Sequence, residues 1–212
     1  MSRHRAFAAV AAFVCAAAPL SAQGWSWGPM LGLSQTRLTN VVSADYRTGF
    51  TAGALISTER EDASSFWGSG LVLSSRGASV PNLGPDGKMV LTYVEVPLFN
   101  AWNIDIHNPW ITPYVVIGAQ LGFTLSCKVT GGTPTSTRKC DDPVFGTGKA
   151  STLDLHLGGG GGMTLTLNGR TFFVDGQYLM GNRAILANTR TKNRAFVLDL
   201  GYRMRVGKHD PQ

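Results

Sequence analysis

The stretch STLDLHLGGGGGMTLTLNGRTFFVDGQYLMG, residues 151–181, alternates between two kinds of side chain. Outside the five glycines, the odd positions of its first half are apolar: Leu153, Leu155, Leu157, Met163, Leu165 and Leu167. The even positions are polar: Thr152, Asp154, His156, Thr164 and Thr166. Successive side chains of a strand point to opposite faces. Because the pattern keeps its phase across the glycines, it predicts one strand over residues 150–167.

The glycine run has two other interpretations, and both fit poorly. A phosphate-binding loop would carry a GK[ST] element and open a helix, whereas Met163 and Thr164 follow here. A flexible linker would not keep the phase of the alternation. The next two residues, Asn168-Gly169, are the strongest short signal for a β-hairpin, since a type I′ turn needs positive φ at both central positions. A second strand is therefore expected to begin at residue 170.

The same alternation recurs along the chain and is clearest in RAFVLDLGYRMRV, residues 194–206, where the even positions from Phe196 to Val206 are all apolar. It predicts eight strands, over residues 25–36, 47–58, 66–77, 89–103, 111–126, 150–167, 170–181 and 194–206. With the first strand starting in the periplasm, the connections 37–46, 78–88, 127–149 and 182–193 face outward. The shorter connections 59–65, 104–110 and 168–169 face inward. This asymmetry is typical of outer-membrane barrels, so we predict an all-β, eight-stranded antiparallel up-and-down transmembrane barrel over residues 23–206.

The ends and the composition of the chain agree with export. A basic start, an apolar run of 15 residues and small residues before a cleavage site predict a signal peptide over residues 1–22. A membrane anchor would need about 20 apolar residues. Residues 207–212 form a short C-terminal tail. Loss of Arg3 and Arg5 lowers the formal charge from +6 to +4. No Lys/Arg cluster follows one face, so nucleic acid is not expected as a partner.

A soluble, lipocalin-like barrel is the main alternative fold, because it also has eight strands. Its apolar residues would face inward. In a soluble barrel, the polar face of residues 150–167 would make a surface with few side chains if it faced outward and a poor core if it faced inward. It consists of Asp154, His156, glycines and threonines. That face is better suited to the polar lumen of a membrane barrel.

Seven charged or titratable residues are expected to face this lumen: Glu95, Asp154, His156, Asp175, Asp199, Arg203 and Arg205. Opposite charges in a narrow barrel must pair, because unpaired buried charge is costly, so a structural plug is the favoured hypothesis. Glu95 is expected to pair with Arg203 or Arg205. Pro97, which has no N–H to donate, is expected to cause a bulge or local bend. Catalysis by Asp154 and His156 is the alternative, although no GxSxG-type turn marks a serine nucleophile.

The connection 127–149 contains the two cysteines that remain after signal cleavage, Cys127 and Cys140, and a disulfide is expected in an exported protein. Four cations of this connection are candidates for contact with lipopolysaccharide or a partner, or are simply solvated: Lys128, Arg138, Lys139 and Lys149. Asp141 and Asp142 fall short of a calcium-binding pattern, and no metal or cofactor is predicted. The five tryptophans mostly fall near strand ends, as in an interfacial girdle.

The segment LTYVEVPLFNAW, residues 91–102, resembles the L-x-Y-x-E-[IV]-P-L strand of the PorT-like outer-membrane β-barrel family. Further pieces in the family's order extend the resemblance over residues 24–206, and they are TGFTAGALI, LVLSSRGAS, PYVVIGAQLGF and KNRAFVLDLGYRM. Gly70 stands where the family often has a glutamate, and the chain does not end on an aromatic residue. The resemblance implies an outer-membrane location. The family's named member is tied to protein secretion, but most members have no assigned activity.

These observations predict a small outer-membrane barrel with a structural, binding or envelope-related role and no catalysis. The alternatives are a narrow channel or an adhesion- or secretion-associated barrel acting through its outer loops, and an outer-membrane lipid-modifying enzyme. The expected partners are outer-membrane lipids and lipopolysaccharide, the barrel-assembly machinery and an unidentified envelope protein.

Export predicts that the mature protein begins at Gln23, because the small residues before it fit signal-peptidase cleavage after Ala22. Intact-mass measurement of the protein purified from outer membranes should give the mass of residues 23–212. Retention of residues 1–22 in the membrane-inserted protein would contradict this prediction.

Overall fold

The structure is a computed structural model that describes residues 24–41, 43–60, 62–84, 86–132, 135–142, 150–186 and 190–206. The predicted signal peptide, the C-terminal tail and Lys149 lie outside these residues. Within them, no helix is long and apolar enough to cross a membrane.

The described residues form nine strands, eight of which are long. The long strands are β1 (Trp25–Leu38), β2 (Arg47–Glu59), β3 (Ser65–Ser79), β4 (Lys88–Asn103), β5 (Ile111–Gly131), β7 (Leu153–Leu167), β8 (Arg170–Gly181) and β9 (Asn193–Val206). The short strand β6 (Ser136–Lys139) lies in the connection after β5. The eight predicted strands are therefore present, with β5 five residues longer than expected and β6 added.

The long strands form one closed antiparallel barrel. Each pairs with its neighbours in the order β4-β3-β2-β1-β9-β8-β7-β5, and β4 pairs with β5 to complete the ring. Strand β6 pairs only with the far end of β5, through residues 128–131. Closure gives each long strand a partner on both edges, which is the condition for β-structure in lipid.

The two faces of the wall differ as the alternation predicted. Along β1 and the first half of β9, every second residue is buried and the residues in between are exposed. The exposed face is apolar across the middle of the barrel, with large side chains that include Leu31, Leu33, Leu71, Ile117, Leu157, Leu198 and Leu200. The buried face carries most of the polar side chains. An apolar exterior around a polar interior excludes the lipocalin-like alternative, in which the apolar face is inside.

All five tryptophans lie at one rim of the barrel. Trp25 and Trp67 are both paired with Thr58, and Trp102 is paired with Ser65 and Val115. The five indoles are exposed on the outer face, by 42% to 62%. This rim carries the three short connections and is called the short-turn end. The opposite rim, with the four longer connections, is the long-loop end. In outer-membrane barrels the short turns are periplasmic.

The glycine-rich stretch lies inside strand β7. Gly158, Gly160 and Gly162 share the face of Asp154 and His156, so they lie on the lumen side. A Cβ added at Gly160 would meet the carbonyl oxygen of Gly176 on β8, and one at Gly158 or Gly162 would also meet β8 backbone. The glycines therefore let β7 and β8 approach closely as the narrow barrel curves. The hairpin that follows has the predicted positive φ values, 51° at Asn168 and 73° at Gly169.

The irregularity expected at Pro97 takes a different form. The register shift lies at Thr92/Tyr93, where β4 faces β5, and not at Pro97. At Pro97 the pairing of β4 with β3 is interrupted between Ser69↔Leu98 and Val72↔Glu95, but it resumes in the same register. The missing N–H thus breaks the ladder locally without adding a residue, and the predicted bulge at Pro97 is wrong.

Close approach at the glycines predicts different outcomes for two adjacent substitutions. We expect Gly160→Ala to destabilise the folded barrel by about 1–3 kcal/mol, because the methyl group would overpack against β8. Gly161→Ala is the matched control, since its Cβ would come no closer than 3.1 Å, to the Tyr114 oxygen. Urea unfolding in detergent micelles, followed by heat-modifiable gel mobility, measures the difference. Equal stability of the two variants would contradict the close-packing interpretation.

Candidate functional site

A buried ion pair lies at the centre of the lumen. The Arg76 Nη2 donates to Glu95 Oε2 at 2.8 Å and to Gln120 Oε1 at 2.7 Å. The Arg76 and Glu95 side chains are 1% and 2% exposed. The expected pairing of Glu95 with Arg203 or Arg205 is therefore wrong. Alternation gives the face on which a side chain lies but not its height along the barrel axis. Arg76 lies on β3, which pairs with β4, the strand that carries Glu95.

A histidine and an aspartate extend this cluster toward the long-loop end. His156 Nε2 lies 3.1 Å from Asp154 Oδ2, and His156 Nδ1 lies 4.0 Å from Glu95 Oε1. The Tyr93 hydroxyl lies within 3.5 Å of Asp154 Oδ2, and the Tyr93 ring stands edge-on to His156. His156 and Asp154 are completely buried. The structure thus brings together three of the residues singled out in the sequence, and adds Arg76, Tyr93 and Gln120.

A second polar cluster lies nearer the short-turn end. Asp175 and Asp199 are direct partners on β8 and β9, so two carboxylates stand side by side on the lumen face. Asp199 accepts a hydrogen bond from the Thr51 hydroxyl at 2.5 Å. Asp175 accepts one from the Tyr114 hydroxyl at 3.1 Å and one from Gln177 Nε2 at 2.9 Å. The neutral side chains of Thr51, Tyr114 and Gln177 thus donate hydrogen bonds to the two carboxylates.

The two predicted arginines of β9 have different environments. The Arg203 guanidinium lies over the Phe66 ring at 4.1 Å and near the Phe173 ring at 5.3 Å, so its charge is held by cation–π contacts. Arg205 lies at the rim, where its side chain is 64% exposed and bonds to Glu59 at 3.3 Å. Arg205 is therefore not part of the buried network. Sequence alternation could not show that Arg205 lies at the rim of the barrel, where solvent reaches its side chain.

A small cavity separates the two polar clusters. Its volume is about 40 Å³, and its walls include Arg76, Glu95, Asp175, Asp199 and Arg203. A water molecule needs about 10–15 Å³ of such space, so two or three waters fit. Three buried atoms of residues that line this cavity have no protein hydrogen-bond partner among the described residues, namely Arg76 Nε and Nη1 and Glu95 Oε1. The lumen thus has room for a few waters but not for a continuous pore.

The long-loop end of the lumen is closed by an apolar cluster, which we call the cap. Its members are Leu38, Ala78, Val80, Met89, Leu91, Tyr93, Val129, Cys140, Ile185 and Leu186, each at most 7% exposed. They come from the ends of β1, β3, β4 and β5 and from the connections after β3, β6 and β8. Tyr93 belongs both to the cap and to the polar cluster beneath it. The apolar residues of these connections pack together over the lumen.

Covalent and backbone links hold the cap together. Cys127 and Cys140 form the predicted disulfide, across the β5–β6 hairpin. A loop of this size contributes about 3 kcal/mol in the chain-entropy model. Ser151 N–H donates to the Ile185 carbonyl at 2.7 Å, and Gly132 N–H donates to the Leu83 carbonyl at 2.7 Å. The connections are therefore joined to one another as well as to the barrel.

The cations predicted on the connection after β5 are solvent-facing where they are described. Lys128, Arg138 and Lys139 are exposed, and Arg138 pairs with Asp142 at 3.3 Å. Among the described residues, no group of three histidine, cysteine or acidic side chains has the geometry to hold a metal ion.

A family model described as outer membrane protein beta-barrel domain matches residues 18–183, which is most of the chain. The chain belongs to this family. It is a small integral barrel of the outer-membrane type. No curated protein matches the chain significantly.

Several solved structures of small outer-membrane barrels are similar to this chain. Neisserial surface protein A is 14% identical, covers 85% of this chain and 97% of its own, and has a TM-score of 0.50. Ail, the attachment invasion locus protein of Yersinia pestis, is 18% identical and covers 86% and 99%, with a TM-score of 0.45. The N-terminal barrel domain of Pseudomonas aeruginosa OprF is 12% identical and covers 86% and 100%, with a TM-score of 0.35. At these identities the similarity concerns the fold alone.

Removing one partner of the central ion pair should strongly lower the stability of the folded barrel. We expect Arg76→Gln to destabilise the barrel by about 3–5 kcal/mol, because it leaves the Glu95 charge buried and unpaired. Adding Glu95→Gln should restore much of this loss, since no lone charge then remains. Arg205→Gln is the control, because its exposed pair with Glu59 contributes at most about 1 kcal/mol. Urea unfolding in lipid vesicles measures all three. A single and a double variant of equal stability would contradict the pairing.

Proposed function

We propose that the protein is a sealed, non-conducting barrel that displays a rigid cap at the cell surface for structural or binding purposes. The observation that carries this proposal is the closure of the lumen by two successive layers, the apolar cap and the ion pair of Arg76 and Glu95. An eight-stranded barrel has an interior just wide enough for side chains to fill. The remaining cavity of about 40 Å³ is too small for a solute path.

The same burial argues against catalysis in the lumen. Asp154 and His156 are the residues whose chemistry is closest to that of an acid–base pair, and both are 0% exposed. The cap covers them on one side, and the aromatic side chains of Phe66 and Phe173 lie on the other side of the cavity. A lipid substrate would reach neither residue without opening the barrel. We therefore assign the buried polar network a structural role, in agreement with the hypothesis of a plug.

A binding role through the long-loop end is favoured over a purely passive one by the rigidity of the cap. A disulfide and several backbone hydrogen bonds between connections order this surface before any partner arrives. Ordering in advance lowers the entropy cost of binding. The β5–β6 hairpin presents Arg138 and Lys139 to solvent beside this surface.

The finer assignments are also part of this proposal. The L-x-Y-x-E-V-P-L segment of β4, residues 91–98, favours a PorT-like member of the family, and its Tyr93 and Glu95 both belong to the buried network. Export through residues 1–22, insertion by the barrel-assembly machinery and contact with lipopolysaccharide and an envelope protein follow from an outer-membrane location.

A sealed lumen predicts the absence of unitary conductance. The purified barrel is reconstituted in planar bilayers in concentrated potassium chloride, and a wide general porin in the same bilayers serves as the positive control. Heat-modifiable mobility of the reconstituted protein shows that it is folded. We expect no discrete current steps from the folded protein. Steps that recur with the protein and scale with salt concentration would contradict the proposal and favour the narrow-channel alternative.

A further inference from the structure

A row of side chains on the outer wall at the long-loop end combines apolar and cationic groups. Four residues are direct neighbours across four strands, Leu157 on β7, Met180 on β8, Arg194 on β9 and Arg37 on β1. All four are exposed on the outer face. The two arginines therefore stand about 5 Å apart at Cβ, which is a destabilising arrangement for like charges directly opposite each other.

The sequence around this row offers no compensating acid. Residues 26–44 and 176–198 contain no aspartate or glutamate, but they contain Arg37, Arg183, Arg190, Lys192 and Arg194. Within the described part of the chain, no carboxylate lies within 4.0 Å of Arg37, Lys192 or Arg194, although the Arg37 guanidinium lies 5.4 Å from the centre of the Tyr46 ring. A cluster of cations with no anionic partner among the described residues has unused capacity to bind an anion.

The cations border a groove in a well-ordered part of the wall. The groove has a volume of about 460 Å³ and is lined by Leu157 and Met180 on its apolar side and by Lys192 and Arg194 on its cationic side. Thr39 N–H donates to the Lys192 carbonyl at 2.9 Å, and Lys192 N–H donates to the Thr39 hydroxyl at 3.1 Å. The backbone that carries the cations is thereby tied to the end of β1.

The position of the row relative to lipid identifies the occupant. One step toward the middle of the wall, Tyr178 and Phe196 are paired and exposed, as aromatic side chains are at a membrane interface. Arg194 and Arg37 therefore lie at headgroup level, directly above Phe196 and Gln35, and the apolar wall begins with Leu198 and Leu33 one step further in. Beneath Leu157, the lipid face of β7 carries Gly159 and Gly161, so an acyl chain there would lie against backbone beside the exposed ring of Tyr178.

We propose that this row and groove bind a phosphorylated glycolipid of the outer leaflet, of the lipid A type. The guanidinium groups of Arg37 and Arg194 would bind one phosphate, to which arginine is suited by its planar fork of donors. Lys192 adds charge at the same height, and the acyl chains contact Leu157, Met180 and the glycines below. The inference rests on the proposed outer-membrane orientation, in which the long loops face outward, because the outer leaflet carries this lipid.

The test uses the full-length barrel in detergent and native mass spectrometry with three probes, namely diphosphorylated lipid A, its dephosphorylated form and phosphatidylglycerol. We expect diphosphorylated lipid A to bind best, and the R37Q/R194Q variant to bind it at least tenfold more weakly than the wild type. The control variant R60Q/R170Q removes two exposed arginines from the opposite, short-turn rim and should change binding by less than twofold. Heat-modifiable mobility confirms that each variant is folded.

Three results would overturn the inference. They are unchanged lipid A binding by R37Q/R194Q, an equal loss in R60Q/R170Q, and equal binding of the phosphorylated and dephosphorylated probes. None of these results depends on conductance. A barrel that conducts but binds lipid A through Arg37 and Arg194 would contradict the proposed sealed function alone. A non-conducting barrel without this binding would contradict only the lipid site.

Discussion

The structure depends on one constraint: a strand in lipid must find partners for its backbone N–H and C=O groups within the protein. Closure of β4 onto β5 meets this constraint, and closing at eight strands leaves a lumen that side chains must fill. Because the outer face has to be apolar, the polar residues of the alternating pattern are forced into that lumen. Burial then requires them to pair, which accounts for the contact of Arg76 with Glu95 and Gln120 and for the donors that bind Asp175 and Asp199.

The lumen is filled in layers because its two ends face different surroundings. At the short-turn end, Phe66 and Phe173 hold the Arg203 guanidinium through their ring faces. At the long-loop end, the strands extend beyond the outward apolar belt, and apolar residues of the connections pack inward as the cap. The polar clusters are confined between these layers. A partner outside the membrane therefore meets the cap and the rim, and the chemistry of Asp154 and His156 stays out of reach.

The alternation of the sequence predicted which face of the wall each side chain occupies. It could not predict the height of a side chain along the barrel axis. Faces were readable because the period of a strand is two, so Glu95, Asp154, His156 and Asp199 could be assigned to the lumen. Their partners were not readable, because pairing depends on the stagger between strands, and Arg76 was missed although it shares the face of Val72. The cap was missed for a related reason, since no sequence pattern relates Leu38 at the end of β1 to Ile185 and Leu186 after β8 until the fold brings them together.

The glycines of β7 show how one stretch serves both faces of the wall. On the lumen side, Gly158, Gly160 and Gly162 are required because β8 backbone occupies the space that a Cβ would take. On the lipid side, Gly159 and Gly161 meet no such obstacle closer than 3.0 Å, so packing within the barrel does not explain them equally well. What they do create is a shallow strip of bare wall on β7 below Leu157, beside the exposed ring of Tyr178. A protein surface without side chains gains little from general lipid contact, so its position below the apolar end of the row that also holds Arg194 and Arg37 favours a specific chain over bulk lipid.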